Sequence, residues 1–322
     1  MPTQHPQQEH PQTTAEAQPV DTHPFPRVLV PLSMSDPDAE LLRYAALVAG
    51  VGGRREFHFV HVVTPAHKPA EDWTAEAIRR RLQEEVERDF GDALERVTTA
   101  IDVVEGTRVD KIIELAVERK ADLILLGHRK ARSGRRSLAG RLAMIAPCSV
   151  WMVPEGSPCS IRRPLVPIDF SEHSADALRV AVRLAHLHEL ARLQTLHVFF
   201  DPSTIRYDEH VEEIRGREDA AFAEFVATID NLGVGIEPLF HESNNPGQAI
   251  GRLAKAHDVD LVIMNTRGRS CAASILIGSV TSQIIMETEI PVLAVKHYGA
   301  KLDLFHALVN HRLWDERTPK TN

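Results

Sequence analysis

The chain states its fold twice. RVLVPLSMSD from Arg27 aligns with RPLVPIDFSE from Arg163, and VHVV around His61 aligns with LHVF around His197, both pairs 136 residues apart. DLILLG from Asp122 aligns with DLVIMN from Asp260 at an offset of 138. A register kept to within two positions over ~100 residues means two copies of one folding unit, not one large domain. The 322 residues give each copy enough chain for a core of its own.

Within each copy, short apolar runs alternate with helical periodicity. In the first, VLVPL from Val28 suits a strand buried on both faces. Asp36 to Ala49 reads as a helix with Asp36 as N-cap and Pro37 in the first turn. EFHFVHVV is the next strand, and Ile78, Leu82, Val86, Phe90 and Leu94 mark a long amphipathic helix from about Trp73 to Val97. A strand near Ile101–Val104, a helix over Val109–Lys120, the strand Leu123–Leu126, a helix after Ser137 and the strand 149–153 complete the copy. The second copy repeats that order, with strands at 164–168, 193–199, 234–240, 261–264 and 291–295. Strands alternating with helices imply parallel βαβ units with right-handed crossovers, hence an α/β chain with a doubly wound, Rossmann-like sheet in each copy.

The divisions follow: a disordered Pro/Gln/His-rich tail at 1–26, domain 1 at 27–154, a Pro/Gly/Ser linker at 155–162, domain 2 at 163–296 and an extension at 297–322. Leu302, Phe305, Val309 and Leu313 form one apolar stripe in that extension, suited to a helix docked on a domain or on a partner. A net charge of −8 argues against a nucleic-acid partner. No apolar run reaches the roughly 20 residues of a membrane span. Three cysteines without a CxxC, and no leader pattern at the N-terminus, fit a cytoplasmic protein.

In doubly wound sheets, ligands bind beyond the carboxyl ends of the strands, where the strand order switches. In the second copy Asp169, Phe170 and Ser171 follow the first strand. Asn265–Thr266–Arg267–Gly268 follow the fourth, and nine residues later Gly278–Ser279–Val280 open a helix. Small residues there let backbone amides approach a phosphate, and a helix start offers unpaired N–H groups. Ser279 adds a hydroxyl, or serves simply as the N-cap. Asp169 repels phosphate but suits ribose hydroxyls or an adenine amino group.

VPIDFSEHSADAL, LHV, DLVIMNTRGRS, LIGSVTSQII and PVLAVK resemble the ATP-binding branch of the universal stress protein family, and the resemblance runs from about Arg27 to Lys296. That family carries G-x2-G-x9-G-[S/T] and an Asp near the end of the first strand. The resemblance implies two tandem five-stranded parallel sheets of order 3-2-1-4-5. It implies that the last strands of the two domains, 149–153 and 291–295, pair edge to edge as an intramolecular pseudo-dimer. It also implies that Asp169 and the backbone near Ile168 and Val198 hold adenosine, with Met264, Asn265, Gly268, Gly278, Ser279 and Val280 holding ribose and phosphates. Asn265 stands where the family has its first glycine, and Asn is the best substitute where a left-handed backbone is needed.

The first copy departs further. Ser33 replaces Asp169, Lys130 the second glycine and Arg136 the third, in a loop four residues shorter. Ser137 remains as an N-cap. Arg129, Lys130, Arg132, Arg135 and Arg136 suit an anion, or a solvated or internally paired loop. Cys271 lies in the second copy's loop beside Arg269, where its thiol is redox-responsive or incidental. His61 and His197 occupy equivalent strand positions, which points to a shared structural role. His5, His10 and His23, and the pair His186 and His188, lack metal-ligand spacing.

The expected function is therefore regulatory rather than enzymatic. One adenine nucleotide, ATP with or without Mg²⁺, binds domain 2, domain 1 is a non-binding partner, and an unidentified protein receives the signal. A nucleotide-free scaffold is the alternative, and a slow ATPase the second. No Walker sequence is present, and no carboxylate or histidine stands at a persuasive position for hydrolysis. Further association into a homodimer stays open.

Overall fold

The computed structural model describes residues 23–64, 74–128, 137–202, 208–266 and 278–296. The tail before His23, the basic loop 129–136, Gly268, Cys271 and the apolar stripe of the extension lie outside them. The first repeat comprises β1 (Arg27–Leu32), α1 (Asp38–Ala49), β2 (Arg55–Val63), α2 (Ala75–Phe90), β3 (Val97–Glu105), α3 (Arg108–Glu118), β4 (Leu123–His128), α4 (Leu138–Ile145) and β5 (Ser149–Pro154). The second comprises β6 (Pro164–Ile168), α5 (Glu172–Leu187), β7 (Arg192–Phe199), α6 (Asp208–Val226), β8 (Gly235–Glu242), α7 (Pro246–Ala256), β9 (Leu261–Asn265), α8 (Ser279–Glu287) and β10 (Val292–Val295).

Both repeats adopt the 3-2-1-4-5 order, and the two sheets are joined into one of ten strands, β3-β2-β1-β4-β5-β10-β9-β6-β7-β8. Every described pairing is parallel except the one at the middle, where β5 runs antiparallel to β10 with Trp151 opposite Leu293. This is the strand pairing expected from the sequence. Ser149 and Lys296 fasten its end. The Lys296 amide donates to Ser149 Oγ at 3.0 Å, and that hydroxyl donates to the Lys296 carbonyl at 3.3 Å. Lys296 Nζ donates to the carbonyls of Met144 (3.2 Å) and Ala146 (2.8 Å), so a cation from the second repeat caps the carboxyl end of α4 in the first.

The two faces of the sheet carry two hydrophobic cores, each running through both repeats. One buries Val30, Tyr44 and Trp151 with Val166, Leu178 and Leu293. The other buries Ile124, Leu142 and Met152 with Ile250, Ile284 and Val292. Strands apolar on both faces form such a layer because helices cover each side.

Three boundaries differ from the sequence reading. Phe25 is buried in the first core and His23 packs beside it, so the disordered tail does not extend to 26. The long helix stops at Phe90 because Gly91 takes φ +56°, and Gly91–Arg96 continue as a 3₁₀ helix. The N-cap of α1 is Pro37, not Asp36, and no side chain caps it there.

Symmetry-equivalent anchors hold each repeat. Asp122 accepts from the Arg27 amide (3.0 Å) and guanidinium (2.9 and 3.0 Å), and its counterpart Asp260 accepts from the amides of Arg162 (2.7 Å) and Arg163 (2.9 Å). Each carboxylate ties the start of the first strand to that of the fourth. At the other end, His61 Nδ1 lies 3.0 Å from the Leu32 carbonyl and His197 Nδ1 lies 2.9 Å from the Ile168 carbonyl. A carbonyl only accepts, so both nitrogens carry a proton. The equivalent histidines thus share a structural role, as their positions suggested.

Candidate functional site

Strand register builds the site. Ile168 lies opposite His197, and β6 pairs with β9 through Leu165 and Val262. These parallel strands therefore end nearly level, at Ile168, Val198 and Asn265. The strand order turns between β6 and β9, the place where a doubly wound sheet is expected to leave a crevice above the strand ends. Asp169 and Phe170 leave β6 at its rim. Phe170 adopts φ +58°, as Met34 does at the equivalent position with φ +59°. The left-handed turn is thus a feature of both repeats.

The chain from β9 returns to the same place. The Gly278 amide donates to the Thr266 carbonyl at 2.8 Å, and Thr281 Oγ1 donates to the Asn265 carbonyl at 3.0 Å. The start of α8, with Gly278, Ser279 and Val280, is thereby pinned at the end of β9, the strand next to the one that Asp169 follows. Ser279 is exposed, while Gly278, Val280, Val198 and Asn265 are half-buried. Ile168 and Met264 point into the two cores, with Met264 only 5% exposed, so only their main chains are at hand. The N-cap is Gly278, not Ser279, and no side chain caps this helix. Its leading amides have no intrahelical partner, and among the described residues no side chain accepts from them.

The first repeat fills the same positions itself. Asp38, 6% exposed, accepts from the amides of Ser33 (2.8 Å), Met34 (2.6 Å) and Ser35 (3.3 Å) and from the Ser33 hydroxyl (2.9 Å). Ser137 caps α4 by accepting from the Gly140 amide at 3.1 Å. A carboxylate thus sits on the donors of the strand-end turn, and a hydroxyl on one donor of the helix start. In the second repeat the counterpart of Asp38 is Ser174, whose hydroxyl donates to the Ser171 carbonyl at 2.9 Å. There the carboxylate comes from Asp169 and accepts from the Ser171 amide (3.1 Å) and hydroxyl. The sequence reading missed Asp38, although a carboxylate five residues beyond Ser33 was a signal that it could fold back on the turn.

A buried support lies beneath the crevice. The ring of His197 sits 4.2 Å from that of Phe170, and His197 Nε2 lies 3.4 Å from Glu218, which is 7% exposed and also accepts from Arg217 at 3.0 Å. In the first repeat, burial holds His61 below the ordinary histidine pKa. Among the described residues, no group of three or more His, Cys, Asp or Glu is placed to hold a metal ion. Nor is any of their helices long and apolar enough to cross a membrane.

The family model described as the universal stress protein family matches this chain twice, over residues 24–154 and 160–296. The chain belongs to that family. It is a tandem member, with one domain per match. A universal stress protein of Thermus aquaticus, from the QAH/OAS sulfhydrylase 3' region, is 30% identical over 143 residues, covering 41% of this chain and 96% of the relative. One from Synechocystis sp. is 27% identical over 150 residues, covering 41% and 96%. Among solved structures, a universal stress protein from Archaeoglobus fulgidus superposes with a TM-score of 0.64 at 18% identity, covering 88% of this chain and all of that one. At that identity the likeness concerns the fold. It spans both domains of this universal stress protein.

Proposed function

We propose that this universal stress protein is a cytoplasmic regulator that binds one adenine nucleotide, ATP, in domain 2, while domain 1 serves as a non-binding partner. The observation that carries the reading is the uncapped start of α8 beside Asp169, set against the self-filled equivalent in domain 1. Asp169 accepts from ribose hydroxyls or the adenine amino group, and the main chain at Ile168 and Val198 meets the base. The amides of Ser279 and Val280, with Gly278 leaving room for their approach and with Asn265 and Gly268, receive the phosphates, where the positive end of the helix favours negative charge. A Mg²⁺ ion arriving with ATP would offset phosphate charge. The donor set at the crevice, amides and a serine hydroxyl with one carboxylate set to the side, fits a nucleotide.

The role is regulatory, with no residue assigned to catalysis. Binding would change the surface that an unidentified protein reads. Calorimetric titration of ATP, ADP and AMP, with and without Mg²⁺, into protein stripped of nucleotide tests the reading. One site per chain, weakened in Asp169→Ala, supports it. Two sites would mean that domain 1 also binds. No heat at millimolar ligand would leave a nucleotide-free scaffold as the function.

A further inference from the structure

A second cluster of ionisable groups lies at the amino ends of the strands, at the opposite end of the sheet from the nucleotide crevice. His23 precedes β1, Arg55 opens β2 and His188 ends α5, so three distant segments and both domains contribute. His23 is 1% exposed and Arg55 2%. The fit is tight: the His23 amide donates to the Gly52 carbonyl at 3.2 Å. A Cβ on Gly52, which has φ +80°, would lie 2.8 Å from His23 Cβ and 3.0 Å from Leu187 Cδ1 of domain 2.

The donors in this seam are poorly matched. Arg55 Nη2 donates to the Val48 carbonyl and the guanidinium lies over Phe57, but among the described residues its buried Nε and Nη1 have no hydrogen-bond partner, nor have His23 Nε2 and His188 Nε2. His23 Nδ1 accepts from the Phe25 amide at 3.1 Å, so the neutral ring carries its proton on Nε2. A second proton has to enter at Nδ1, where that amide already points. Asp260, before β9, also acts on His188, with the opposite sign to Arg55. Asp260 is engaged by Ser160 and by the Arg162 and Arg163 amides.

We propose that His23, Arg55 and His188 form an acid-released latch that clamps the segment before β1 into the seam between the domains. At neutral pH both imidazoles are uncharged beside one buried cation, and the segment stays seated. Protonation of either ring sets a second positive charge against the buried guanidinium, at His23 in a place without room for solvation and at His188 in a half-buried one, and the segment leaves. Burial first, and then the Arg55 charge, holds both histidines below their ordinary value. A base depressed in the latched state takes up its proton only on release. The latch is therefore fully closed above about pH 6.5 and weakens as pH falls below it.

Hydrogen exchange in the full chain tests the latch. The amides of His23 and Phe25 are read against their intrinsic exchange rates at each pH, with the Leu29 amide of β1 as the reference for global opening. Between pH 7.5 and 5.5 the opening constant at His23 and Phe25 should rise by up to roughly 100-fold, about tenfold from His23 and at most about tenfold from His188, while Leu29 does not follow. His188→Gln, at a half-buried site, should cut the rise to about tenfold, and His23→Gln with His188→Gln should flatten it. A flat profile in the unaltered chain overturns the proposal. So does a rise at Leu29 in parallel, or a slope that His188→Gln leaves unchanged. These readouts do not involve the crevice, so their failure is independent of any failure of nucleotide binding.

Discussion

Domain 1 and domain 2 bring the same backbone to the same place and dispose of its hydrogen-bond donors differently. Both have a left-handed residue after the first strand, Met34 and Phe170, and both have a histidine gripping the last carbonyl of that strand. In domain 1 a carboxylate reaches back from α1 to three amides of the turn, and a serine caps α4. In domain 2 the carboxylate moves to the strand end and a glycine opens α8. The two copies thus differ in which side chains take up the donors of that turn and of the helix start. Losing a glycine motif is only part of how domain 1 departs; Asp38 also folds back onto three amides of its strand-end turn.

Four substitutions probe that contrast. The largest effect is expected from Gly278→Val, which places a branched side chain where phosphate approaches. ATP affinity should fall by at least about 100-fold, or ~3 kcal/mol, in a chain that still melts cooperatively. Unchanged calorimetric affinity would put the site elsewhere. Asp38→Ala leaves three amides of the domain 1 turn without their acceptor, and urea denaturation should show a loss of about 2–3 kcal/mol. A loss below ~0.5 kcal/mol would mean that water replaces the carboxylate freely, and the contrast would weaken. For Asp169→Ala, loss of one charged acceptor should weaken ATP about tenfold while leaving inorganic phosphate contacts intact. Equal affinity for ATP in both proteins would remove Asp169 from the site. The smallest effect belongs to Ser137→Ala, about 1 kcal/mol of stability from an N-cap, with no nucleotide binding gained. Binding at domain 1 in that variant would show that the cap alone had closed it.

Much of this was legible in the chain because it is local or repeated. The strands are short apolar runs, the second copy checks the first, and a strand-end Asp with a glycine-led helix is a short-range pattern. The equivalence of His61 and His197 was likewise visible, though not the carbonyls they grip. The misses involve direction and distance. Asp36 before Pro37 reads as a helix start, and only the turn at Met34 shows that Asp38 swings back onto the strand end. Phe25 sits in a polar, Pro-rich stretch, where one aromatic residue is a weak signal of packing. His23, Arg55 and His188 come from segments far apart in sequence, and no spacing rule connects them.

The pairing of β5 with β10 sets the valence of the whole molecule. A parallel sheet in each half would offer two raw borders, and here the inner two are spent on each other. Of the described strands, β3 and β8 remain as the outer borders, related by the same pseudo-twofold turn. Each is chemically guarded against further strand addition: β3 carries Asp102 and Glu105, and β8 carries Glu237, Pro238 and Glu242. Fusion of two units in one chain has thus turned what separate subunits would leave to concentration into a fixed ratio of one to one. A domain whose last helix is capped by Ser137 is always delivered alongside one whose last helix is opened by a glycine.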